Sequence, residues 1–333
     1  MSAGNGVALS RLLAHARLGL GNLPTPLEEV QMGAGHRILV KRDDLVGVGR
    51  GGIKGRKIDF LVQHLVSNGY RSLVTVATNV TNLVHDIAPV LAELGVDYRI
   101  FVSNDPPLPR AQRELLFRNL PRDKVILVGR SRLALAARTL QAAAEFRRRG
   151  ERPLVLMPSL GHGSSVIGVA RGFVEAVEQT EAKLGEPPRT TFITAASGVS
   201  LAGIALGERA LRDAGRRSIR IIGVSVYSGP IRTYARLLVR MAEKELGIPS
   251  LVDIDEARLT SWRDVGDFGL YEARTAELCR RVEREHGLRI DPIYGGKTWG
   301  MMDSILQAEH GHVPCLYWHC GFTPDWERLS ASC

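Results

Sequence analysis

Short apolar runs alternate along the chain with longer stretches in which apolar residues recur every three or four positions. This pattern predicts buried strands that alternate with amphipathic helices. Strands that are apolar throughout, each followed by a helix, are typical of a parallel sheet covered on both faces. We therefore expect an α/β protein whose ligands bind at the carboxyl ends of the strands. The predicted strands are 37–41, 73–77, 98–102, 125–128, 154–157, 191–194, 219–226 and 315–319, and the predicted helices include 83–94, 111–119, 131–149, 201–214, 231–246, 271–286 and 297–309.

A glycine-rich stretch at residues 50–57 separates the first of these strands from a helical pattern. Its glycines allow positive φ angles and let a ligand approach the backbone closely. Lys54 and Lys57 fall in the first turn of the predicted helix, where the positive end of the helix dipole disfavours a cation. A nearby anion would relieve this, and a lysine whose charged form is disfavoured is a better nucleophile for a carbonyl. A glycine turn with two surface lysines is the alternative for this stretch alone.

Three further polar segments lead into predicted helices. Thr81 and Asn82 stand at a helix N-terminus, where they could bind a carboxylate or simply cap the helix. The segment 195–203 forms either a phosphate cradle or an ordinary tight turn. It matches neither the glycine-lysine pattern of nucleoside-triphosphate sites nor the three-glycine pattern of dinucleotide sites. Tyr294 precedes the last predicted helix, where packing is the alternative to catalysis.

Composition narrows the functional classes for this chain of 333 residues. Its net charge of +9 is spread over predicted helix faces and aromatic residues make up only 6%, so we expect no nucleic-acid partner. No apolar run approaches the roughly 20 residues of a membrane span, and we see no signal peptide. Four cysteines without Cys-x-x-Cys spacing favour a reducing compartment, the cytoplasm. No histidines pair as His-x-x-x-His on a predicted helix, so we expect no metal site.

Taken together and in order, the motifs resemble those of one family. They are similar to the pyridoxal-phosphate enzymes of the tryptophan-synthase-β fold (fold type II), in the branch of 1-aminocyclopropane-1-carboxylate deaminases and D-cysteine desulfhydrases. The resemblance covers nearly the whole chain, and its ordered set of motifs is more specific than any one of them. The motifs are Gly-Gly-Ile-Lys-Gly-Arg-Lys at 51–57, Thr-Asn-Leu at 81–83, Ser-Gly-Val-Ser-Leu-Ala-Gly at 197–203, Asp-Pro-Ile-Tyr at 291–294 and Trp-His-Cys-Gly at 318–321.

The resemblance implies a two-domain, open twisted parallel-sheet fold. A large domain of residues 1–57 and 171–333 would anchor the cofactor, and a small α/β domain of residues 58–170 would be inserted into it. The family also implies a homodimer and a small amino-acid substrate.

Roles for individual residues follow from the same resemblance. Lys54 would hold pyridoxal 5'-phosphate as a Schiff base, the internal aldimine, and act as the catalytic base. Asn82 would bind the phenolic oxygen of the cofactor, and Cys320 stands where a threonine would face the ring nitrogen. The phosphate would be held by Lys57, Ser197, Gly198, Val199 and Ser200. Substrate would meet Thr81, Asn82, Leu83, Phe268 and Tyr294, of which Thr81 and Tyr294 are also candidates for catalysis.

Five positions depart from the family pattern. They are Ile53, Leu83, Phe268, Gly295 and Cys320. In the deaminase, position 295 carries a glutamate that protonates the pyridine nitrogen, so its loss weakens the electron sink. These changes favour β-elimination from a D-cysteine-like substrate over opening of a cyclopropane. A β-replacement or other amino-acid tailoring enzyme, and a catalytically impaired cofactor-binding relative, are the alternatives.

Overall fold

The computed structural model describes residues 6–32, 36–79, 81–262, 269–308 and 314–321. Within these residues the strands form two separate sheets, of six and four strands. The strands are β1 Leu27–Gln31, β2 Arg37–Lys41, β3 Ser72–Thr78, β4 Asp97–Ser103, β5 Val125–Leu127, β6 Pro153–Val155, β7 Thr190–Ala195, β8 Arg220–Ser225, β9 Arg258–Thr260 and β10 Cys315–Trp318. The helices are α1 Val7–Ala14, α2 Ile53–Ser67, α3 Leu83–Glu93, α4 Arg110–Leu116, α5 Arg132–Arg148, α6 Gly163–Leu184, α7 Val199–Asp213, α8 Ile231–Leu246, α9 Ala273–His286 and α10 Gly295–Ala308.

The larger sheet has the strand order β1-β2-β10-β7-β8-β9. Its neighbours are parallel except at β1, which runs antiparallel to β2 and pairs Leu27 with Lys41. All six residues of β7 are buried, as expected for a central strand covered on both faces. The α/β fold with parallel sheets is therefore confirmed, with an antiparallel edge strand added to it.

The smaller sheet has the order β5-β4-β3-β6 and is parallel throughout. Its strands fall between residues 72 and 155, inside the segment 58–170 predicted as a small domain. The ends of that segment fall within α2 and α6, both of which pack in the core. The exact domain boundaries stay a prediction.

Helix α2 contributes to two of the four hydrophobic clusters found among the described residues, one beside each sheet. Ile53 and Phe60 pack in the core around the larger sheet. Ile58, Leu61 and Leu65 pack in the core of the smaller sheet. Because apolar residues lie on more than one side of α2, the helix is held from both directions.

A buried cluster of charges fixes the start of α2. The Arg56 guanidinium, 1% exposed, donates to both carboxylate oxygens of Asp43 at 2.8–2.9 Å and to Glu175. Trp318 Nε1 donates to Asp43 Oδ2 at 2.8 Å, which ties the end of β10 to the same carboxylate. A Cβ at Gly172 would lie 2.8 Å from Arg56 Nε, so glycine is needed where α6 crosses the arginine. Removing one partner of such a buried pair costs about 3–5 kcal/mol, and the residues beside Arg56 on α2 are thereby held in place.

No helix in the described part of the chain is long and apolar enough to span a membrane.

Candidate active site

A cavity of about 220 Å³ lies where residues from both sheets meet. Thr78 and Thr194, near the carboxyl ends of β3 and β7, contribute to its wall, together with the chain that follows β10. This is the position at which ligands bind in parallel α/β folds. The cavity brings together nine of the predicted site residues: Lys54, Lys57, Thr81, Asn82, Ser197, Gly198, Ser200, Tyr294 and Cys320.

Lys54 lies in the first turn of α2, and the backbone before it is pinned against the chain after β10. Ile53 N–H donates to the carbonyl of Cys320 at 2.9 Å. Gly52 has φ 103°, and a Cβ there would lie 2.6 Å from that same carbonyl oxygen. Glycine is therefore required at position 52, and the close approach sets where Lys54 begins its helix.

Lys57 lies one turn further along α2, and its amine faces helix α7. Lys57 Nζ donates to Ser200 Oγ at 3.0 Å. Burial, reinforced by the nearby charge of Lys54, lowers the pKa of Lys57 to about 7. A buried amine with a depressed pKa gains from the approach of an anion, because the anion restores its charged form.

The N-terminus of α7 forms the wall opposite Lys57. Gly198 precedes the helix with φ 92°, and a Cβ there would lie 3.0 Å from the carbonyl oxygen of Ile231. No side chain caps this helix end. Ser197, Gly198 and Ser200 line the cavity, whereas Val199 is fully buried in the larger core. Uncapped N–H groups, two serines and a lysine make a binding site for a phosphate-like anion.

Thr81 and Asn82 precede α3 on another side of the cavity. Thr81 Oγ1 accepts the N–H of Leu83 at 3.2 Å, so the threonine side chain participates in the helix start. Leu83 itself packs in the smaller core and does not line the cavity. Phe268, the other apolar residue predicted to meet substrate, lies outside the described residues.

Tyr294 stands just before α10 in a turn held by Asp291. Asp291 Oδ1 accepts the N–H groups of Ile293 and Tyr294 at 2.9 and 2.8 Å. Burial, with the charge of Asp291, raises the pKa of Tyr294, so its hydroxyl is a neutral donor over the physiological range. Asp291 also lines the cavity, and its position before proline at the start of a helix was the sequence signal for this turn.

Cys320 offers the cavity a neutral thiol. Burial raises the pKa of Cys320 to about 12. Gly295 lies behind the cavity wall, where a Cβ would be 3.0 Å from Tyr317 Oη. That hydroxyl in turn donates to the Gly295 carbonyl at 3.1 Å. A side chain at position 295 would therefore crowd Tyr317, which would have to move by a few tenths of an ångström.

Asp86 lies one turn beyond Asn82 in α3 and was missed from the sequence. Its Oδ1 accepts the N–H of Arg50 at 2.8 Å, while Oδ2 is buried without a hydrogen-bond partner. Burial raises the pKa of Asp86 to about 6, although the charge of Lys54 acts in the opposite direction. The sequence feature that could have identified Asp86 is an acidic residue within a mostly apolar helical stretch.

Other cavity residues carry no motif that sequence reasoning could use. They include Asp105, Ser159 and Tyr227, which come from three separate loops. Ser159 has φ 62° and Leu160 has φ 59°, a left-handed backbone that residues other than glycine rarely adopt. Strain of this kind is often kept at functional sites.

Comparison with known proteins relates the whole chain to one family. The family described as "Pyridoxal-phosphate dependent enzyme" matches residues 18–321. A 1-aminocyclopropane-1-carboxylate deaminase of Ralstonia nicotianae is 27% identical, with 95% of this chain and 97% of that protein covered.

Two solved structures share the fold. A homologue of ACC deaminase superposes with a TM-score of 0.80 at 24% identity and covers 97% of both chains. A hydrogen sulfide-producing enzyme from Fusobacterium nucleatum superposes with a TM-score of 0.62 at 16% identity, covering 92% of this chain and 95% of that one.

Proposed function

We propose, from the premise that this chain belongs to the family of pyridoxal-phosphate dependent enzymes, that it eliminates a leaving group from Cβ of a small amino acid such as D-cysteine. The enzyme class, a pyridoxal-phosphate-dependent lyase or deaminase, follows from the family and its relatives. The substrate and the residue roles are the proposed part. One observation supports them. Lys54, in the first turn of α2, lines the same cavity in which Lys57 and Ser200 lie at the uncapped N-terminus of α7.

The described residues fit the cofactor. An amine at Lys54 matches its aldehyde, and the cradle at Gly198, which a Cβ would fill, matches its phosphate. When bound, pyridoxal phosphate supplies a carbonyl that bonds to amines and an aromatic ring that withdraws electrons from Cα of the substrate. The phosphate would be held by Lys57 and the N-terminus of α7, with Asn82 at the phenolic oxygen and Cys320 beside the ring nitrogen.

Two side chains of the protein, Lys54 and Tyr294, would carry out the proton transfers. Lys54 Nζ would remove the proton from Cα and hold it while the leaving group departs. The N-terminus of α3 with Thr81 suits the substrate carboxylate. Tyr294, whose hydroxyl is neutral, would donate a proton to the departing sulfur. The Cβ–S bond breaks, sulfide leaves with a proton, and the remaining enamine hydrolyses to ammonia and an α-keto acid.

The surroundings of Cys320 and Gly295 favour elimination over ring opening. A thiol with a pKa of about 12 is a weak partner for a ring nitrogen, and glycine at position 295 supplies no acid. Breaking a cyclopropane bond demands strong electron withdrawal, whereas sulfide is a good leaving group. The relative named as a 1-aminocyclopropane-1-carboxylate deaminase makes ring opening the competing function.

The test is a substrate panel on enzyme saturated with pyridoxal phosphate. D-cysteine, L-cysteine, β-chloro-D-alanine and 1-aminocyclopropane-1-carboxylate are each assayed for ammonia and keto acid, and the cysteines also for sulfide. We expect D-cysteine to release ammonia and sulfide at least about tenfold faster than the cyclopropane releases ammonia (a difference of about 1.4 kcal/mol in barrier). Comparable rates from the cyclopropane would contradict the proposal.

Two controls distinguish elimination from β-replacement and from a loss of catalysis. Adding a thiol nucleophile reveals β-replacement, because a new amino acid then forms in place of keto acid. A protein that binds the cofactor but turns over none of the panel would be an impaired relative.

The quaternary and cellular expectations belong to the same proposal. We expect a homodimer in the cytoplasm, and a small domain of residues 58–170 that closes over the cavity when substrate binds. Sedimentation measures the oligomeric state, and small-angle scattering with and without substrate measures the closure of the small domain.

A further inference from the structure

Three histidines from distant parts of the chain surround the carboxylate of Glu245, away from the active-site cavity. His15 follows α1, His64 lies on α2, His162 precedes α6 and Glu245 lies near the end of α8. We call these four residues the His–Glu cluster. None of them lines the active-site cavity.

Three members of the His–Glu cluster, His64, His162 and Glu245, bring their ligand atoms close enough together to share one small cation. Glu245 Oε1 lies 3.3 Å from His15 Nε2 and 3.2 Å from His64 Nδ1, and Oε2 lies 3.7 Å from His162 Nδ1. Ligand atoms of His64, His162 and Glu245 all lie within 4.8 Å of one another, the one group of three or more such side chains found among the described residues. A tetrahedron of Zn²⁺ ligands with bonds of about 2.1 Å has edges of about 3.4 Å.

The surroundings hold these side chains in place. Ser164 Oγ donates to Glu245 Oε1 at 2.5 Å and orients the carboxylate. The rings of His64 and His162 lie 4.5 Å apart, and the His15 ring stacks on Phe60. A Cβ at Gly163 would lie 2.5 Å from Glu245 Oε2, so glycine lets the start of α6 approach the carboxylate.

We propose that the His–Glu cluster binds one divalent transition-metal ion, Zn²⁺, through His64, His162 and Glu245, while His15 stays beside the Glu245 carboxylate. Imidazole nitrogens and a carboxylate oxygen are a donor set that suits zinc. The side chains are 13–24% exposed, so an ion can reach them from solvent without the protein opening.

Such an ion would join α2 and α8 to the start of α6. It would connect α8 to α2, whose first turn contains Lys54, and to His162, which lies two residues after the strained pair Ser159–Leu160. We therefore assign the site a structural role, in which the ion stabilises the packing behind the active site and takes no part in chemistry. The sequence did not indicate this site, because the three ligands are separated by 98 and 83 positions and only the fold brings them together.

The test uses holoenzyme without an oligohistidine tag, treated with a chelator and then titrated with Zn²⁺ alone. We expect one tightly bound ion per chain and an increase in the thermal midpoint, since an ion that binds only the native state stabilises it. His64→Gln and Glu245→Gln should each weaken binding by at least about tenfold and abolish the thermal increase. His286→Gln, a similarly exposed histidine on α9, is the matched control and should behave as wild type.

X-ray absorption at the zinc edge of the loaded wild-type enzyme decides the question independently of the variants. Nitrogen and oxygen ligands, including histidine scattering, support the site. Sulfur ligands would assign the ion to a cysteine such as Cys320 and overturn the proposal. Unchanged zinc affinity in both His64→Gln and Glu245→Gln would also overturn it, as would the absence of stoichiometric binding in the wild type.

Discussion

Lys57 Nζ donates to Ser200 Oγ at 3.0 Å, across 143 positions of sequence. The contact joins the N-terminal parts of α2 and α7, two of the helices that begin at the active-site cavity. Both helix ends are positive, and two lysines add to that charge. The arrangement is costly unless an anion occupies the space between them, which is the physical basis for placing the cofactor phosphate there.

Lys54→Ala should remove the covalent attachment of the cofactor. Borohydride reduction of wild-type holoenzyme followed by peptide mass analysis should find the cofactor on Lys54, and turnover of the variant should fall by at least about 10³-fold. Lys183→Ala changes a half-exposed lysine on α6 and should leave both unaltered. A cofactor-labelled peptide containing another lysine would refute the role of Lys54.

Phosphate affinity should depend on pH through Lys57. Burial, with the Lys54 charge, lowers the pKa of Lys57 to about 7, so above pH 7 the cofactor-free enzyme must take up a proton to bind an anion there. We compare the affinity of wild type for inorganic phosphate with that of Lys57→Gln. The ratio of the two affinities should fall by up to about tenfold for each pH unit above 7. The ratio to the variant cancels the titration of phosphate itself, and calorimetry measures both.

The lowered pKa of Lys57 also determines how the free energy of unfolding changes with pH. The unfolded lysine keeps the usual pKa of 10.5, so the native state binds fewer protons between pH 7 and 10.5. The cost of burying Lys57 is therefore full below pH 7 and is relieved as the pH rises toward 10.5. If the ratio of the phosphate affinities of wild type and Lys57→Gln does not change with pH, Lys57 stays charged without a ligand.

Asp86→Asn should stabilise the cofactor-free protein at neutral pH. Burial raises the pKa of Asp86 from 3.8 to about 6, so the native state binds more protons than the unfolded state between these values. The penalty is absent below pH 3.8 and complete above pH 6, and it amounts to at most about 3 kcal/mol. Urea unfolding should find the variant more stable at pH 7 and the difference reduced at pH 4.5.

Asp97→Asn is the control with the opposite sign. Burial acts to raise the pKa of Asp97, but bonds from Lys124 and the Tyr98 N–H outweigh it and the pKa is lowered. Its removal should therefore destabilise the protein at pH 7. If Asp86→Asn behaves in the same way, the buried Asp86 carboxylate is stabilised by a partner and not penalised.

Gly295→Glu should destabilise the fold without creating a deaminase. Its Cβ would press on Tyr317 Oη and on Ile290, two residues of one buried hydrophobic cluster. We expect a loss of at least about 2 kcal/mol in the free energy of unfolding. Gly295→Ala isolates the contribution of the Cβ and should cost less. Gain of cyclopropane deamination by a stable Gly295→Glu enzyme would contradict our account of position 295.

Periodicity predicted most of the fold because the parallel strands are buried on both faces and read as apolar runs. Helix α8 was predicted at 231–246, its observed bounds. Strands β1 and β9 were missed. Glu28, Glu29 and Gln31 make β1 an edge strand with a polar composition, and β9 has only three residues. Neither leaves a hydrophobic pattern that distinguishes a strand from a loop.

The candidate site was predictable where a motif lies on one short stretch of chain. Lys54, Lys57 and Ser200 were found because each accompanies glycines at a helix start. Asp86 and Ser159 were not found, since their importance depends on burial and on backbone conformation that only tertiary contacts impose. The His–Glu cluster was invisible for the same reason.

Helix α2 places one stripe of its side chains in each of the two cores, with Phe60 on one side and Leu61 on the other. A cut of the chain near residue 57 would divide α2, and neither fragment would keep the complete helix. We therefore expect that two fragments produced by a cut at this point would not fold separately, because each would lack part of α2.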